Sequence, residues 1–323
     1  MRILVTGGTG VIGAWVVPKL LEKSIVPIVL DIRDDFSLMP ELAGRIEWIR
    51  ADVTDGAAIA AAVKQADVEC IVHLAAFIDP DMGTLPYQSF RINTLGTVNI
   101  LEAARLAQVR RVVAASSRAV YGGLAKRPGD AGYRAVRETE IKNPVSAYDV
   151  TKHASELMGK LYRDLHGIEY AALRFAGIYG PGKQARHGKM SLRSRLVEEP
   201  FAGRSVAIPQ GGDQLDDMIY VADVAEGVVL AAMAPTLSHE AYNIASGTGQ
   251  TLRDFAAAVR AALPQADISI GPGENPMELA VNYAAIFDIS RARQELGFAP
   301  KFDLVAGVQD YVDRLRIMNW GKS

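Results

Sequence analysis

Cysteine is almost missing from this chain: Cys70 stands alone among 323 residues. That excludes an internal disulfide framework and fits a reducing compartment. Cys70 lies between Val68-Glu69 and the apolar Ile71-Val72, a position suited to a buried strand thiol. No uninterrupted apolar run is long enough to cross a bilayer. An excess of one charge is missing too, with 35 Lys and Arg against 37 Asp and Glu, so neither nucleic acid nor an anionic membrane is an expected partner. The first strand begins at residue 2 with no charged leader before it, and the expected compartment is the cytoplasm. There is no internal repeat and no low-complexity tract, and no metal site is expected. What remains, at 49% hydrophobic and 22% charged, is a globular chain sized for one large domain or a large and a small one.

What is there is an alternation. Runs rich in Val, Ile and Leu at residues 2–6, 26–31, 46–50, 71–73, 111–116 and 169–175 are apolar on both faces, as parallel strands between helices require. Helix-period stretches fall between them, among them 57–65, 93–107 and 147–165. The order predicts an α/β fold with a Rossmann-type doubly wound parallel sheet. Pro18 falls inside the first helix and is expected to kink it. After residue 180 the pattern loosens: 180–189 is polar and glycine-rich, 202–214 reads as turn and strand, and 275–281 is irregular. Helices are expected again at 251–262 and 290–296. The expected division is a cofactor domain over 1–177 and a smaller, mainly substrate-binding α/β region over 178–323, some of whose segments return to the first.

The first strand runs into Gly7-Gly8-Thr9-Gly10-Val11-Ile12-Gly13 and then a helix. Gly7, Gly10 and Gly13 permit a tight turn, admit backbone N–H groups to a pyrophosphate and let the helix pack close to the strand. The helix N-terminus adds partial positive charge. Val11 and Ile12 belong to the same expected cofactor set. A glycine turn alone is a weak signal, and Asp31, directly after Ile28-Val29-Leu30, strengthens it. Its carboxylate can accept from both adenosine ribose hydroxyls and would repel a 2′-phosphate, which favours NAD over NADP. Arg33 is the counterweight, since a nearby arginine tolerates that phosphate. Asp52 and Val53 are placed to meet the adenine edge, and Asp52 reads equally as a helix cap for the segment after Thr54.

Tyr148 and Lys152 stand at i and i+4 of a predicted helix and share a face. A free tyrosine titrates at about 10 and is a poor base at neutral pH. A neighbouring ammonium and a positive nicotinamide ring would both favour phenolate. The lysine can also hold the nicotinamide ribose. Ser117, at the end of a strand, can hydrogen-bond a substrate oxygen while charge develops on it. Tyr/Lys pairs are common on helix surfaces. The order glycine turn, Ser117, Tyr148, Lys152 is what points to nicotinamide-dependent hydride chemistry.

With these residues in view, the chain resembles the extended short-chain dehydrogenase/reductase family, in its epimerase/dehydratase branch. The resemblance runs nearly end to end. It rests on Thr6 to Gly13, His73-Leu74-Ala75-Ala76, Asn93-Thr94-Leu95-Gly96-Thr97, Ser116 to Gly122 and Tyr148 to Lys152. It continues through Ile178-Tyr179-Gly180-Pro181-Gly182, Ile219 to Ala225 and Tyr242 to Gly247. The resemblance implies a catalytic Ser117/Tyr148/Lys152 triad, with Leu74, Ala75, Ala76 and Ile178 at the cofactor and Asn93 supporting that region. It also implies a homodimer built on the helices that begin near Asn93 and carry Tyr148. Val98, Leu101, Leu157 and Leu161 would face the partner or serve internal packing.

The departures from the family pattern narrow the function. Family 4,6-dehydratases carry an acidic pair where this chain has Arg118 and Ala119, so dehydration is not expected. Nucleotide-sugar members usually carry asparagine at the position of Gly177 and tend to carry arginine at the position of Asp216, which would repel a diphosphate. The segment 182–195 holds Lys183, Arg186, His187, Lys189, Arg193 and Arg195 and no acid. As a loop it either recognises a carboxylate or phosphate on a smaller substrate, Arg186 and His187 foremost, or is a solvated basic surface. Phe77, Ile78 and Tyr179 would be apolar walls of the substrate site or parts of the core.

The resulting reading is an NAD-dependent oxidoreductase taking a hydride from a secondary alcohol carbon of a small polyhydroxylated, sugar-like or sugar-acid substrate. Dehydrogenase is favoured over epimerase. A nucleotide-sugar 4-epimerase with an unusual diphosphate site is the alternative, and a non-catalytic dinucleotide-binding redox sensor is the alternative from another class.

Overall fold

The structure, a computed structural model, describes residues 1–78, 84–123 and 134–320. The first half alternates β1 (Arg2–Thr6), α1 (Gly13–Glu22), β2 (Val26–Asp31), β3 (Glu47–Arg50), α2 (Gly56–Ala66) and β4 (Cys70–His73). There follow α3 (Pro86–Ser89), a π-helical turn (Phe90–Leu95), α4 (Gly96–Leu106), β5 (Arg111–Ser117), α5 (Ala147–His166) and β6 (Glu169–Phe175). Each strand expected from the sequence forms, with its ends within a residue of expectation. The chain then passes through β7 (Gly177–Tyr179), α6 (Lys183–His187), α7 (Leu192–Phe201), β8 (Val206–Ile208) and β9 (Asp216–Tyr220). It returns with α8 (Val221–Met233) and β10 (Ala241–Ile244).

β10 was not among the expected strands, yet it completes a seven-stranded sheet ordered β10-β6-β5-β4-β1-β2-β3 with every neighbouring pair parallel. The strand order reverses between β1 and β4, and in such sheets a crevice opens there outside the carboxyl ends of the strands. Apolar clusters cover both faces. One joins Val16, Val17 and Leu20 of α1 to Val224 and Val228 of α8 and Ile244 of β10; the other joins Leu4 and Ile28 to Ile59, Ile100 and Leu101. Cys70 is buried in β4, where burial pushes its thiol up to about 12. Pro18 does not end α1. Burial of Val16, Val17 and Leu20, at about 1.5–3 kcal/mol each, outweighs the roughly 3 kcal/mol that an internal proline costs.

The remaining elements are β11 (Gly249–Gln250), α9 (Leu252–Ala262), β12 (Ile268–Ile270), α10 (Ser290–Leu296) and α11 (Leu304–Ile317). β11, β9 and β7 form one small sheet and β12 and β8 another, over a third apolar cluster that includes Leu196, Phe255 and Tyr311. The segment expected as a basic loop is helical instead: α6 leads through the turn Gly188–Ser191 into α7. Its polar residues show no apolar stripe from which a helix could be read. Among the described residues no helix is long and apolar enough to cross a membrane.

Candidate active site

A groove of about 600 Å³ runs along the carboxyl ends of the central strands. Backbone shapes its floor. Gly7 has φ +65°, and a Cβ there would stand 2.7 Å from the Ala75 nitrogen, so only glycine lets the turn close on the loop after β4. At Gly13 a Cβ would overlap the Gly8 carbonyl. Asp31, at the end of β2, accepts from Thr9 Oγ1 at 2.8 Å and from the Ile32 N–H at 2.8 Å, which ties the carboxylate to the glycine turn. Gly7, Gly10, Val11, Ile12, Gly13, Asp31, Arg33, Asp52, Val53, Leu74, Ala75, Ala76, Lys152 and Ile178 all line this groove, and so do Phe77, Ile78 and Gly177. A long groove with a glycine floor, a helix N-terminus and a carboxylate at the second strand fits a dinucleotide.

Two expectations about this groove change. Asp52 accepts from the Thr54 N–H at 2.9 Å, but the cap of α2 is Asp55, which accepts from the Ala58 N–H at 3.0 Å. Asn93 is buried behind the groove rather than lining it. It accepts from the Phe77 N–H at 2.7 Å and donates to the Phe77 carbonyl at 3.0 Å and Thr151 Oγ1 at 3.2 Å. Asn93 thus braces the loop after β4 against the helix that carries Tyr148.

That helix, α5, starts at a capping box: Ser146 Oγ accepts from the Asp149 N–H and Asp149 Oδ2 accepts from the Ser146 N–H. Tyr148 therefore sits in the first turn, on the wall that it shares with Ser117 at the end of β5. Lys152 is buried, donates to the Ala115 carbonyl at 2.9 Å and lies 5.9 Å from the centre of the Tyr148 ring. One turn further, Glu156 pairs with Arg174 of β6 through two bonds of 2.9 and 2.7 Å and accepts from Ser116 Oγ at 2.5 Å. The pair holds Glu156 down to about 2 against the opposing effect of burial.

Burial governs the protonation of both Tyr148 and Lys152. Burial pushes the Tyr148 phenol up to about 12, opposed by its bond with Ser117. Burial also lowers Lys152 to about 8. The protein's own groups thus keep Tyr148 a phenol at neutral pH.

Ser117, Arg118 and Tyr148 also line the second cavity, a chamber of about 90 Å³. Its other walls come from far along the chain, among them Met190 and Arg193, Gln214 and Asp216, and Met277 and Asn282. Asp216 is buried, and its two oxygens accept from Arg118 Nη1 and Arg193 Nη2. The expectation that Asp216 repels an anion is thereby corrected, because two guanidinium groups neutralise it. Lys183 lines the groove close enough to both arginines that they add to the burial that lowers it to about 8.

Other candidates fall elsewhere. Arg186 donates to the Thr9 carbonyl at 2.7 Å and pairs with Asp35 at 2.6 Å, and so lies over the glycine turn, lining the groove and not the chamber. His187 also lines the groove, where burial lowers it to about 3. Tyr179 is core, packed against Tyr220 and Phe255. Arg195 is exposed, and the Lys189 side chain lies outside the described residues. Sequence reasoning passed over Gln214, Met277 and Asn282, whose only signal was the irregular pattern around them. It named Arg193 only within the basic segment.

The profile of the NAD dependent epimerase/dehydratase family matches residues 3–245. The chain belongs to this family. A relative from Mycolicibacterium smegmatis, a UDP-glucose 4-epimerase, is 31% identical over 98% of this chain and 99% of its own length. Among solved structures, the UDP-glucose 4-epimerase of Thermotoga maritima with UDP-glucose superposes with a TM-score of 0.85 at 26% identity, covering 99% of this chain and 100% of that one. The UDP-glucose 4-epimerase of Thermus thermophilus in complex with NAD gives 0.81 at 29% identity over the full length of both chains. The family assignment and the Rossmann architecture drawn from the sequence motifs agree with these matches.

Proposed function

We propose that this protein is an NAD-dependent oxidoreductase that removes a hydride from a secondary alcohol carbon of a small sugar-like or sugar-acid substrate. The observation that carries the reading is the position of Ser117 and Tyr148, which stand where the dinucleotide groove and the chamber meet. NAD, when bound, supplies the hydride acceptor and a positive ring that favours phenolate. Tyr148 Oη takes the hydroxyl proton, Ser117 Oγ donates to the substrate oxygen as charge develops on it, and Lys152 holds the ribose and the proton balance around Tyr148. Arg118 and Ala119 leave the dehydratase position without an acid, so water loss is not the reaction.

Dehydrogenation is favoured over epimerisation on the departures at Gly177 and Asp216, where nucleotide-sugar members usually carry asparagine and arginine. Absorbance at 340 nm with NAD, across sugars, sugar acids, hydroxy acids and nucleotide sugars, tests the reading. NADH accumulating over many turnovers with a small acid or sugar supports it, and accumulation only with nucleotide sugars sinks it.

A second reading, a nucleotide-sugar 4-epimerase, draws on the named activities of the relatives and on the positive charge of Arg118, Lys183 and Arg193. Tight binding of uridine diphosphate would favour it. On the same footing we take residues 1–177 as the cofactor domain and 178–323 as mainly substrate-binding, and place the protein in the cytoplasm. We also infer a homodimer through α4 and α5, on which Leu157 and Leu161 are exposed while Leu101 belongs to the core. A single-chain mass by light scattering would refute the dimer.

A further inference from the structure

The places where this chain departs from the nucleotide-sugar pattern meet at one point. A Cβ at Gly177 would stand 3.0 Å from Arg193 Cζ and 3.1 Å from Arg193 Nη1, so the guanidinium occupies the space a side chain at 177 would take. Asp216 accepts from that same guanidinium and, at its other oxygen, from Arg118. Gly177, Arg193 and Asp216 are therefore one arrangement: positive charge sits on helix α7 instead of strand β9, and the glycine makes room for it.

The arrangement has unused binding capacity. Arg193 is 9% exposed, and its Nε is buried without a hydrogen-bond partner. A charged donor buried without an acceptor is destabilising, and an anion placed against the same guanidinium offsets part of that cost. The charged residues lining the chamber are Arg118 and Arg193, Asp216 between them, and Asp149, whose carboxylate accepts from the Ser146 N–H and the Tyr283 hydroxyl. Asp217 does not turn toward a ligand, because its oxygens accept from the N–H groups of Ser246, Gly247 and Phe287. A planar fork of guanidinium N–H groups matches a planar carboxylate.

We propose that Arg193, seated by Gly177 and braced by Asp216, binds with Arg118 a carboxylate on the substrate, so that the chamber selects a small sugar acid. Arg118 and Arg193 are the binding groups; Asp216 is a positioning residue. The proposal rests on reading the chamber as the substrate site beside Tyr148. The test is calorimetric binding to the full chain with NAD present, using galacturonate, gluconate and threonate as probes, with galactose and uridine diphosphate for comparison. At least one acid is expected to bind saturably and galactose not, and Arg193→Gln is expected to weaken that acid tenfold or more. Arg193→Lys should recover part of the loss. If Arg193→Gln does not fold, Arg118→Gln carries the same expectation.

No binding by any of the acids overturns the proposal. So does acid binding that Arg193→Gln leaves unchanged, or uridine diphosphate binding that Arg193→Gln removes. Tyr148→Phe separates the two readings: it should bind the acid as the natural protein does while losing turnover. Retained turnover in Tyr148→Phe would refute the hydride mechanism whatever Arg193 does.

Discussion

The two cavities that meet at Tyr148 are built by different means. The groove has a floor of backbone, a glycine turn, strand ends and a helix N-terminus, with the Asp31 carboxylate tied to the turn and side chains such as Lys183 and Arg186 along its wall. The chamber is made of side chains, with Arg118, Arg193 and Asp216 held against one another and apolar groups around them. The contrast teaches where each kind of recognition is stored. Backbone built from neighbouring residues recognises a common cofactor. Side chains gathered from distant segments shape the chamber.

The comparison breaks most visibly at Tyr148, one of the residues the two cavities share. Tyr148→Phe should lower turnover by about 10²–10⁴-fold, the range general acid–base groups supply, while cofactor binding followed by fluorescence stays unchanged. An equal loss of both would mean that Tyr148 belongs to the groove alone.

The next largest effect concerns the support beneath both cavities. Glu156→Ala leaves Arg174 buried without its partner and should cost about 3–5 kcal/mol of stability, read as a fall in melting temperature. Glu156 is held at about 2 against an ordinary value of 4.5, so its pair contributes fully above pH 4.5 and loses that contribution as pH falls toward about 2. His73, lowered from 6.5 to about 3 by burial, adds stability that is whole above pH 6.5 and declines below it. Unfolding midpoints measured from pH 7 down to pH 3 should therefore fall steadily. A flat profile would remove both groups from the account.

Smaller effects sharpen the division between the cavities. Asp31→Asn removes the charge that repels a 2′-phosphate and should narrow the preference for NAD over NADP by about tenfold, or about 1.4 kcal/mol, in the ratio of the two dissociation constants. Arg186→Ala should weaken NAD binding a few-fold, because Arg186 rests on Thr9 and Asp35, and should leave the apparent substrate affinity untouched. A changed substrate affinity would return Arg186 to the chamber.

The legibility of the two cavities follows from their construction. Gly7 to Gly13 and Asp31 could be read because turn, helix start and second strand follow one another along the chain. Tyr148 and Lys152 could be read because helical spacing puts them on one face. Arg193 could not be singled out, since nothing local distinguishes it from Arg186 or Arg195; only contact with Gly177 and Asp216 does. Tyr179 is adjacent to Ile178 in sequence yet belongs to the core, because alternate residues of a strand face opposite ways. β10 escaped notice because a four-residue edge strand carries too short a pattern until it pairs with β6.

By itself the sequence determined the parallel sheet, the dinucleotide turn, the order Ser117, Tyr148, Lys152 and the family. Each of these is written in residues close enough to share one turn, one strand or one helix face. Only the tertiary structure decided that Asp216 is neutralised rather than repelling, that Arg186 serves the groove, and that Arg193 fills the space above Gly177. These outcomes depend on which charges lie within a few ångströms, and residues 118, 177, 193 and 216 become neighbours only when the sheet, α7 and β9 have packed.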